Sequence, residues 1–257
     1  MNSFQRNKIQ TGFIPKIANE IKMKSKKDNY WIVLADLMTV LMVIFLFIAV
    51  TYMIIITEDK EKVDKMVTDY QNSKVALLKE LNTEFKDDFK KTKWNAVLDS
   101  TDLSIKFIDE KILFDNDKSE LKPEFKNILS DFFPRYLKII MKSKYIDKIA
   151  EVRVEGHTSP IGEYIHNLEL SQDRTRNVVA YLRTLEYYQN QMPKEKERLQ
   201  YWLTANGLSY GRTLDKNGNL THINKLPPDN EKCRRVEFKI VTKTDELINE
   251  QIEQLNK

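Results

Sequence analysis

Residues 30–57 read YWIVLADLMTVLMVIFLFIAVTYMIIIT, and this run constrains the chain more than any other feature. Between Trp31 and Ile56 the side chains are apolar except for Asp36 and a few hydroxyls. Wound as a helix, these 26 residues reach roughly 39 Å, enough to cross a hydrocarbon core of about 30 Å with some tilt. A secretory leader has a shorter apolar stretch, about 7–15 residues, closed by a small-x-small cleavage site that is missing here. A buried core helix would show a polar second face. The expectation is a single retained membrane span.

The flanks orient it. Residues 1–29 carry Arg6, Lys8, Lys16, Lys22, Lys24, Lys26 and Lys27 against Glu20 and Asp28, whereas the far side opens with the mixed sequence EDKEKVDK. An excess of lysine and arginine marks the cytoplasmic side, so residues 1–29 are expected to be a basic cytoplasmic tail and the rest to lie across a bacterial inner membrane, in the periplasm. Much of the net charge of +4 is this cluster, which removes the case for direct nucleic-acid binding. Cys233 is the only cysteine, so no intrachain disulfide can form; a buried free thiol is expected, with pairing across a dimer as the alternative.

Residues 58–93 contain neither glycine nor proline, and half of them are charged. Val63, Val67, Tyr70, Lys74, Leu77 and Leu81 recur at spacings of 4, 3, 4, 3 and 4 residues, a heptad seam with one charged interruption. Residues 58–97 therefore read as an amphipathic helix or linker that pairs with a copy of itself, giving a homodimer. The alternative is a surface helix packed on the domain behind it.

From about residue 98 the texture becomes that of a domain of strands and helices. DLSIKFIDEKILF (102–114) reads as two short strands around an Asp-Glu turn, and KPEFKNILSDFFPRYLKIIMKS as a helix with Pro123 in its first turn. IAEVRVEGH (149–157) alternates like a strand, LELSQDRTRNVVAYLRTL is a second helix, and RRVEFKIVT is a last strand. The loop 207–232 holds Gly207, Gly211, Gly218 and Pro227-Pro228, and is long enough to be functional. The expected architecture is a single transmembrane α-helix, an amphipathic helix, and an α+β domain over 98–245 with a mixed sheet and helices on one face. A tail, 246–257, follows.

ILFDNDKSELKPE, VEGHTSPIGEYIHNLELSQDRTRNVVAYL and CRRVEFKI resemble the three signature segments of the OmpA-like peptidoglycan-binding domain, over roughly residues 105–243. The most specific piece is N-x-x-L-S-x-x-R, met by Asn167, Leu170, Ser171 and Arg174 after Gly156-His157-Thr158. The resemblance implies that His157, Thr158, Ser159, Asn167, Leu170, Arg174 and Arg235 form a site for the wall peptide. A guanidinium suits its carboxylates because the planar fork donates two hydrogen bonds at once. Where the family usually has Asp after G-H-T, this chain has Ser159, which cannot supply a charge to the ligand's ammonium. The last motif usually begins with Asn, and here Cys233 takes that place.

His157, His166 and His222 are scattered, and with one cysteine they form no metal-ligand spacing. No P-loop, GxGxxG or Ser-His-Asp order is present. The expectation is a protein that is not an enzyme and holds no metal or cofactor.

Asp36 remains to be explained. A carboxylate near the middle of a span costs about 2.5–3.5 kcal/mol on insertion scales, less towards the interface. A helix that only tethers a domain gains nothing from it. Asp36 is therefore the candidate site for a translocated proton or sodium ion, with Val40, Val43, Phe47 and Val50 on the same face sealing the path beyond. One span with such an Asp, a following helix and an OmpA-like domain together resemble the MotB family of ion-driven rotary stators, most closely the MotB-like subunits of antiphage defence motors. That resemblance implies a dimer inside a pentameric ring of a MotA-like subunit, anchored to peptidoglycan. A flagellar stator protein and a purely structural wall anchor are the alternatives.

Overall fold

The computed structural model describes residues 14–244 apart from 91 and 109, with side chains from residue 30 onward except 66 and 110. Residues 1–13, the basic side chains up to residue 27 and the expected tail 246–257 lie outside this description. The chain divides into two compact units, Met1–Met66 and Val67–Lys257. Helix α1 (Ile14–Phe85) runs through the boundary.

In the first unit, every apolar side chain from Tyr30 to Ile56 is exposed, as a helix meant for lipid requires. The hydroxyls of the span are satisfied locally. Thr39 donates to the Ala35 carbonyl at 2.8 Å, and Thr51 to Phe47 at 2.8 Å. This i−4 bonding is how a short polar side chain is tolerated in hydrocarbon.

The second unit is built around a five-stranded sheet in the order β1-β2-β5-β3-β4. Along the chain come β1 (Ala96–Asp99), β2 (Ser104–Phe107), α2 (Glu110–Leu113), α3 (Pro123–Ile140), α4 (Ser143–Ile146) and β3 (Ile149–His157). Then follow α5 (Tyr164–Thr184), α6 (Glu186–Gln189), α7 (Pro193–Trp202), β4 (Leu203–Gly207), α8 (Thr221–Asn224), α9 (Asn230–Cys233) and β5 (Arg235–Thr242). The sheet is mixed: β3 and β4 are parallel, and the other neighbours are antiparallel.

Alternation sorts the two faces of the sheet. Ile105, Phe107, Val152, Val154, Val236, Phe238 and Ile240 turn to the helices and are buried. Phe132 of α3 is the hub, with ring centroids 5.2 Å from Phe107, 5.0 Å from Phe238 and 5.4 Å from Phe85. Helix α5 lies close on β3 because residue 156 is glycine. A Cβ there would sit 2.7 Å from the Thr175 methyl and 2.8 Å from the Ser171 carbonyl oxygen. The opposite face carries Lys106, Glu155, His157, Arg235 and Glu237, all buried.

Over residues 67–85 the structure takes the alternative, a helix packed on the domain behind it. Tyr70, Leu77 and Leu81, from the lower half of the expected self-pairing seam, are buried, and Leu77, Leu81 and the neighbouring Phe85 belong to the core of the second unit. Lys74, the interruption in that seam, donates to the Thr101 carbonyl at 2.8 Å. Glu80 is held by Lys142 at 2.7 Å, by Lys144 and by the Tyr145 hydroxyl, and Arg135 reaches Glu84 at 2.7 Å and Asp88 at 2.8 Å. A heptad stripe states that one face is apolar, not what covers it, and here the covering surface is α3 and its neighbours. Val63 and Val67 remain exposed.

Residues 112–114 are not the expected strand. They end α2 and leave Phe114 in an isolated bridge with Leu121. Strands β1 and β4 form the two edges of the sheet and have no counterpart among the strands expected from the sequence; the first, AVLD, shows no alternation of apolar and polar residues. Cys233 is buried and free, and its sulfur accepts the Leu214 N–H at 3.3 Å.

Candidate functional site

The residues that the sequence singles out gather at one end of the sheet, where β3 runs out into a loop and α5 begins. The loop 158–163 must reverse direction, and it does so through Gly162, whose φ of +89° lies in the left-handed region. Asn167 locks the turn: its amide donates to the carbonyls of Ile161 at 2.9 Å and Glu163 at 3.1 Å. Its role is therefore to position the loop.

Ser209 pins the loop from behind. It is fully buried with φ of +50°, a strained conformation for serine. Its N–H donates to Ser171 Oγ at 3.0 Å, its hydroxyl donates to the Tyr164 carbonyl at 3.0 Å, and its carbonyl accepts the Thr158 N–H at 2.9 Å. Nothing in the sequence around Ser209 marks this role beyond its place in a glycine-bearing loop.

Arg174 lies one α5 face down from Asn167, seven residues on, and is mostly buried. Its Nε donates to the Lys118 carbonyl at 2.8 Å and an Nη to the Asp115 carbonyl at 3.3 Å, and the guanidinium sits 4.8 Å from the Phe114 ring centre. His166 Nε2 lies 2.7 Å from Asp117 Oδ1, and the Asn177 amide donates to the Ser119 carbonyl at 2.9 Å. Helix α5 thus clasps the loop 115–119 along its length, with Arg174 in the middle of the clasp. Leu170, one turn before Arg174 on the same helix face, is only partly buried.

His157, Arg174 and Arg235 come together around a cavity of about 10 Å³, the space of a single water. Arg235, however, is wholly engaged inside the protein. Its Nε donates to Glu237 Oε1 at 2.5 Å, and its two Nη atoms to the carbonyls of Cys233 at 3.2 Å and Arg212 at 3.1 Å. Its hydrogen bonds tie it into the charged face of the sheet. Thr158 Oγ1 is buried without a hydrogen-bond partner among the described residues, and Ser159 is buried beside it.

The fold also assembles a group that lies scattered in the sequence. Glu155, His157 and Glu237 bring one ligand-type atom each to within 4.8 Å of one another. His157 Nε2 lies 3.7 Å from Glu155 and 3.5 Å from Glu237, spacings a metal ion could bridge. The charges argue otherwise: Arg212 pairs with Glu155 at 3.1 Å and Arg235 with Glu237, so both carboxylates are already matched. A divalent cation would enter a buried site beside two guanidiniums. Burial, reinforced by Arg235 and Arg212, holds His157 well below the usual imidazole range and hence neutral. Outside this cluster opens a polar groove of about 530 Å³, lined by Asp99, Lys106, Arg212, Leu220 and Lys239 among others.

Asp36 belongs to the first unit and is exposed on the α1 surface. Among the described residues it has no hydrogen-bond or ion-pair partner, unlike the hydroxyls of the same span.

The OmpA family profile matches residues 113–219. The Zorya protein ZorB of Escherichia coli (strain Crooks) is 34% identical over 251 residues, covering 93% of this chain and 98% of that protein. A second Zorya protein ZorB, from Escherichia coli O139:H28, is 28% identical over 153 residues and covers 60% of each chain. Among solved structures, a MotB-like protein from Desulfovibrio vulgaris is 21% identical with a TM-score of 0.44, covering 66% of this chain and 91% of that one. The periplasmic domain of Helicobacter pylori MotB is 15% identical with a TM-score of 0.38, covering 60% of this chain and 84% of that one.

Proposed function

The chain belongs to the Zorya ZorB family and carries an OmpA-family domain, and from that premise we propose that it is the wall-anchored stator subunit of an ion-driven motor in antiphage defence. In this reading α1 crosses the inner membrane with the N-terminus in the cytoplasm, and the second unit lies in the periplasm. Two copies stand within a pentamer of a MotA-like partner, ZorA, and the OmpA-family domain holds the pair to peptidoglycan. Asp36 carries the ion, a proton by preference, as access to it alternates between the two sides.

The observation that carries the proposal is Asp36 itself. The span's threonine hydroxyls return to their own helix, but the carboxyl makes no such bond and lies among exposed apolar side chains. Hydrocarbon opposes a lone carboxylate strongly enough that an intramembrane acid is a site for an ion or for a partner's polar group.

Asp36→Asn tests this, because Asn keeps the size and much of the hydrogen bonding but cannot titrate. The variant is expected to reach the membrane and to co-purify with ZorA in the wild-type ratio, yet to give no phage protection. Full protection by Asp36→Asn would leave a wall anchor without transport. Failure of the wild type to bring down a MotA-like polytopic protein would remove the motor.

A further inference from the structure

Tyr70 of α1 is only 6% exposed, yet among the described residues it stands outside the core that takes in Leu77, Leu81 and Phe85 further along the same helix. A tyrosine ring on a helix surface is kept from water only by something packed against it, so a cover other than that core closes over Tyr70. The end of the chain returns to this place. The Lys243 N–H donates to the Lys148 carbonyl at 3.0 Å, and the Lys148 ammonium reaches the Ser73 hydroxyl, one helical turn from Tyr70. Val241 and Thr242, which end β5, are buried, and residues 243 and 244 already turn helical. Thr242-Lys243-Thr244-Asp245 has the spacing of a helix cap, a hydroxyl followed three residues on by a carboxylate. Asp245 and Glu246 then fall in a first turn, where acids are favoured. Ile248, Ile252 and Leu255 follow at spacings of 4 and 3 residues, a single apolar stripe with Glu250 and Glu253 away from it.

We propose that residues 245–257 form a helical strap whose apolar stripe lies over Tyr70 and closes the start of the α1 seam to a second copy. The occupant follows from how much chain is left and where it begins. Beyond the described residues the second unit has only a few positions near 91 and 109 and this one segment, and the segment alone is long enough to cover a tyrosine. As a helix it reaches about 20 Å, several times the single turn between its root and Tyr70. Its own stripe needs the contact as well. A helix this short is marginal in water, and packing of an apolar face is what holds it. The strap acts on α1. Lys74 and Glu80 fix that helix to the domain through polar contacts, and the strap adds an apolar clamp one turn before Lys74. The inference rests on neither the motor nor the wall-anchoring reading.

The test labels Tyr70→Cys with a thiol reagent in the full-length protein in detergent, where Cys233 is buried. Labelling is expected to be slow, and to rise by about tenfold or more when the chain is cut after Thr244 or when Ile248 and Ile252 are both replaced by Asp. Val75→Cys, at an exposed position of the same helix, should label fast in every background. Hydrogen exchange on the protein that keeps Tyr70 gives a second reading. The amides of residues 246–255 should exchange about tenfold or more slowly than those of an unstructured peptide, and Ile252→Asp should abolish that protection. The strap is overturned if truncation leaves the labelling rate at position 70 unchanged, or if residues 246–255 exchange without protection in the unaltered chain. It is overturned as well if Tyr70→Cys in the full-length chain crosslinks readily to a second copy, since the copy would then be the cover.

Discussion

Glu155 on β3 and Glu237 on β5 stand directly opposite each other across two antiparallel strands, both buried. Like charges in that position repel, and out of water the repulsion is not screened. The pair persists because Arg212 pairs with one carboxylate and Arg235 with the other. The charged face of the sheet is therefore a balanced network in which each member depends on its neighbours. Arg235→Ala is expected to cost about 3–5 kcal/mol, because it leaves Glu237 buried without its partner. Replacing both Arg235 and Glu237 by Met should recover most of that loss. Urea unfolding of the single and double variants checks this, and a double variant no more stable than Arg235→Ala would contradict it.

His157 sets a pH dependence. Folded, it is held neutral by burial and by Arg235 and Arg212, against the opposing pull of Glu237, with Glu155 and Lys106 also facing it. Unfolded, it titrates near 6.5. As pH falls below about 6.5 the unfolded chain therefore binds a proton that the folded chain refuses, and stability declines. Above that value the group contributes no slope. Replacing His157 by Gln should flatten stability between about pH 6.5 and 5, before the carboxylates titrate. An unchanged slope in the variant would assign the effect to another group.

Glu80 acts in a lower window. Hydrogen bonds from Lys142 and Lys144 depress its carboxyl from 4.5 to about 2. Its contribution is complete above 4.5 and disappears as pH falls towards 2. Glu80→Gln should remove stability at pH 7 but make little difference near pH 2, which unfolding curves at the two values would show.

The docked end of α1 predicts where a stable fragment begins. A chain starting at residue 67 keeps Leu77, Leu81, Phe85 and Trp94 in the core, whereas one starting at residue 98 loses all four. Burying each large apolar side chain contributes about 1.5–3 kcal/mol, so the shorter fragment is expected to be unfolded or insoluble. Circular dichroism melting compares them. In the full chain, Leu77→Cys should resist crosslinking to a second copy while Val63→Cys reacts. Equal crosslinking at both positions would mean that the helix leaves its own domain.

Arg174→Ala is expected to weaken binding to sacculi by about 1.5–3 kcal/mol if its guanidinium holds a ligand carboxylate. Because Arg174 also clasps the loop 115–118, the variant's melting temperature must be measured alongside. Lost binding with unchanged melting places Arg174 at the ligand. Lost melting with unchanged binding makes it a clasp alone.

The sequence by itself determined whatever depends on near neighbours along the chain. The apolar helix over 30–57 follows from length and composition, α3 and α5 from their helical periodicity, β3 and β5 from alternation over eight or nine residues. The N-x-x-L-S-x-x-R spacing already placed Asn167 and Arg174 on one helix face. Tertiary structure decided what those faces meet. The stripe from Tyr70 to Leu81 would satisfy a second copy as well as the chain's own α3, and only folding the whole domain selects one. Arg235, which looks like a ligand group in its motif, is consumed by Glu237 and two carbonyls because β5 lies beside β3. Glu155, His157 and Glu237 are separated by up to 82 residues and meet only through strand register. Periodicity records which surface an element must bury; the partner for that surface is a long-range choice, and local sequence carries no record of it.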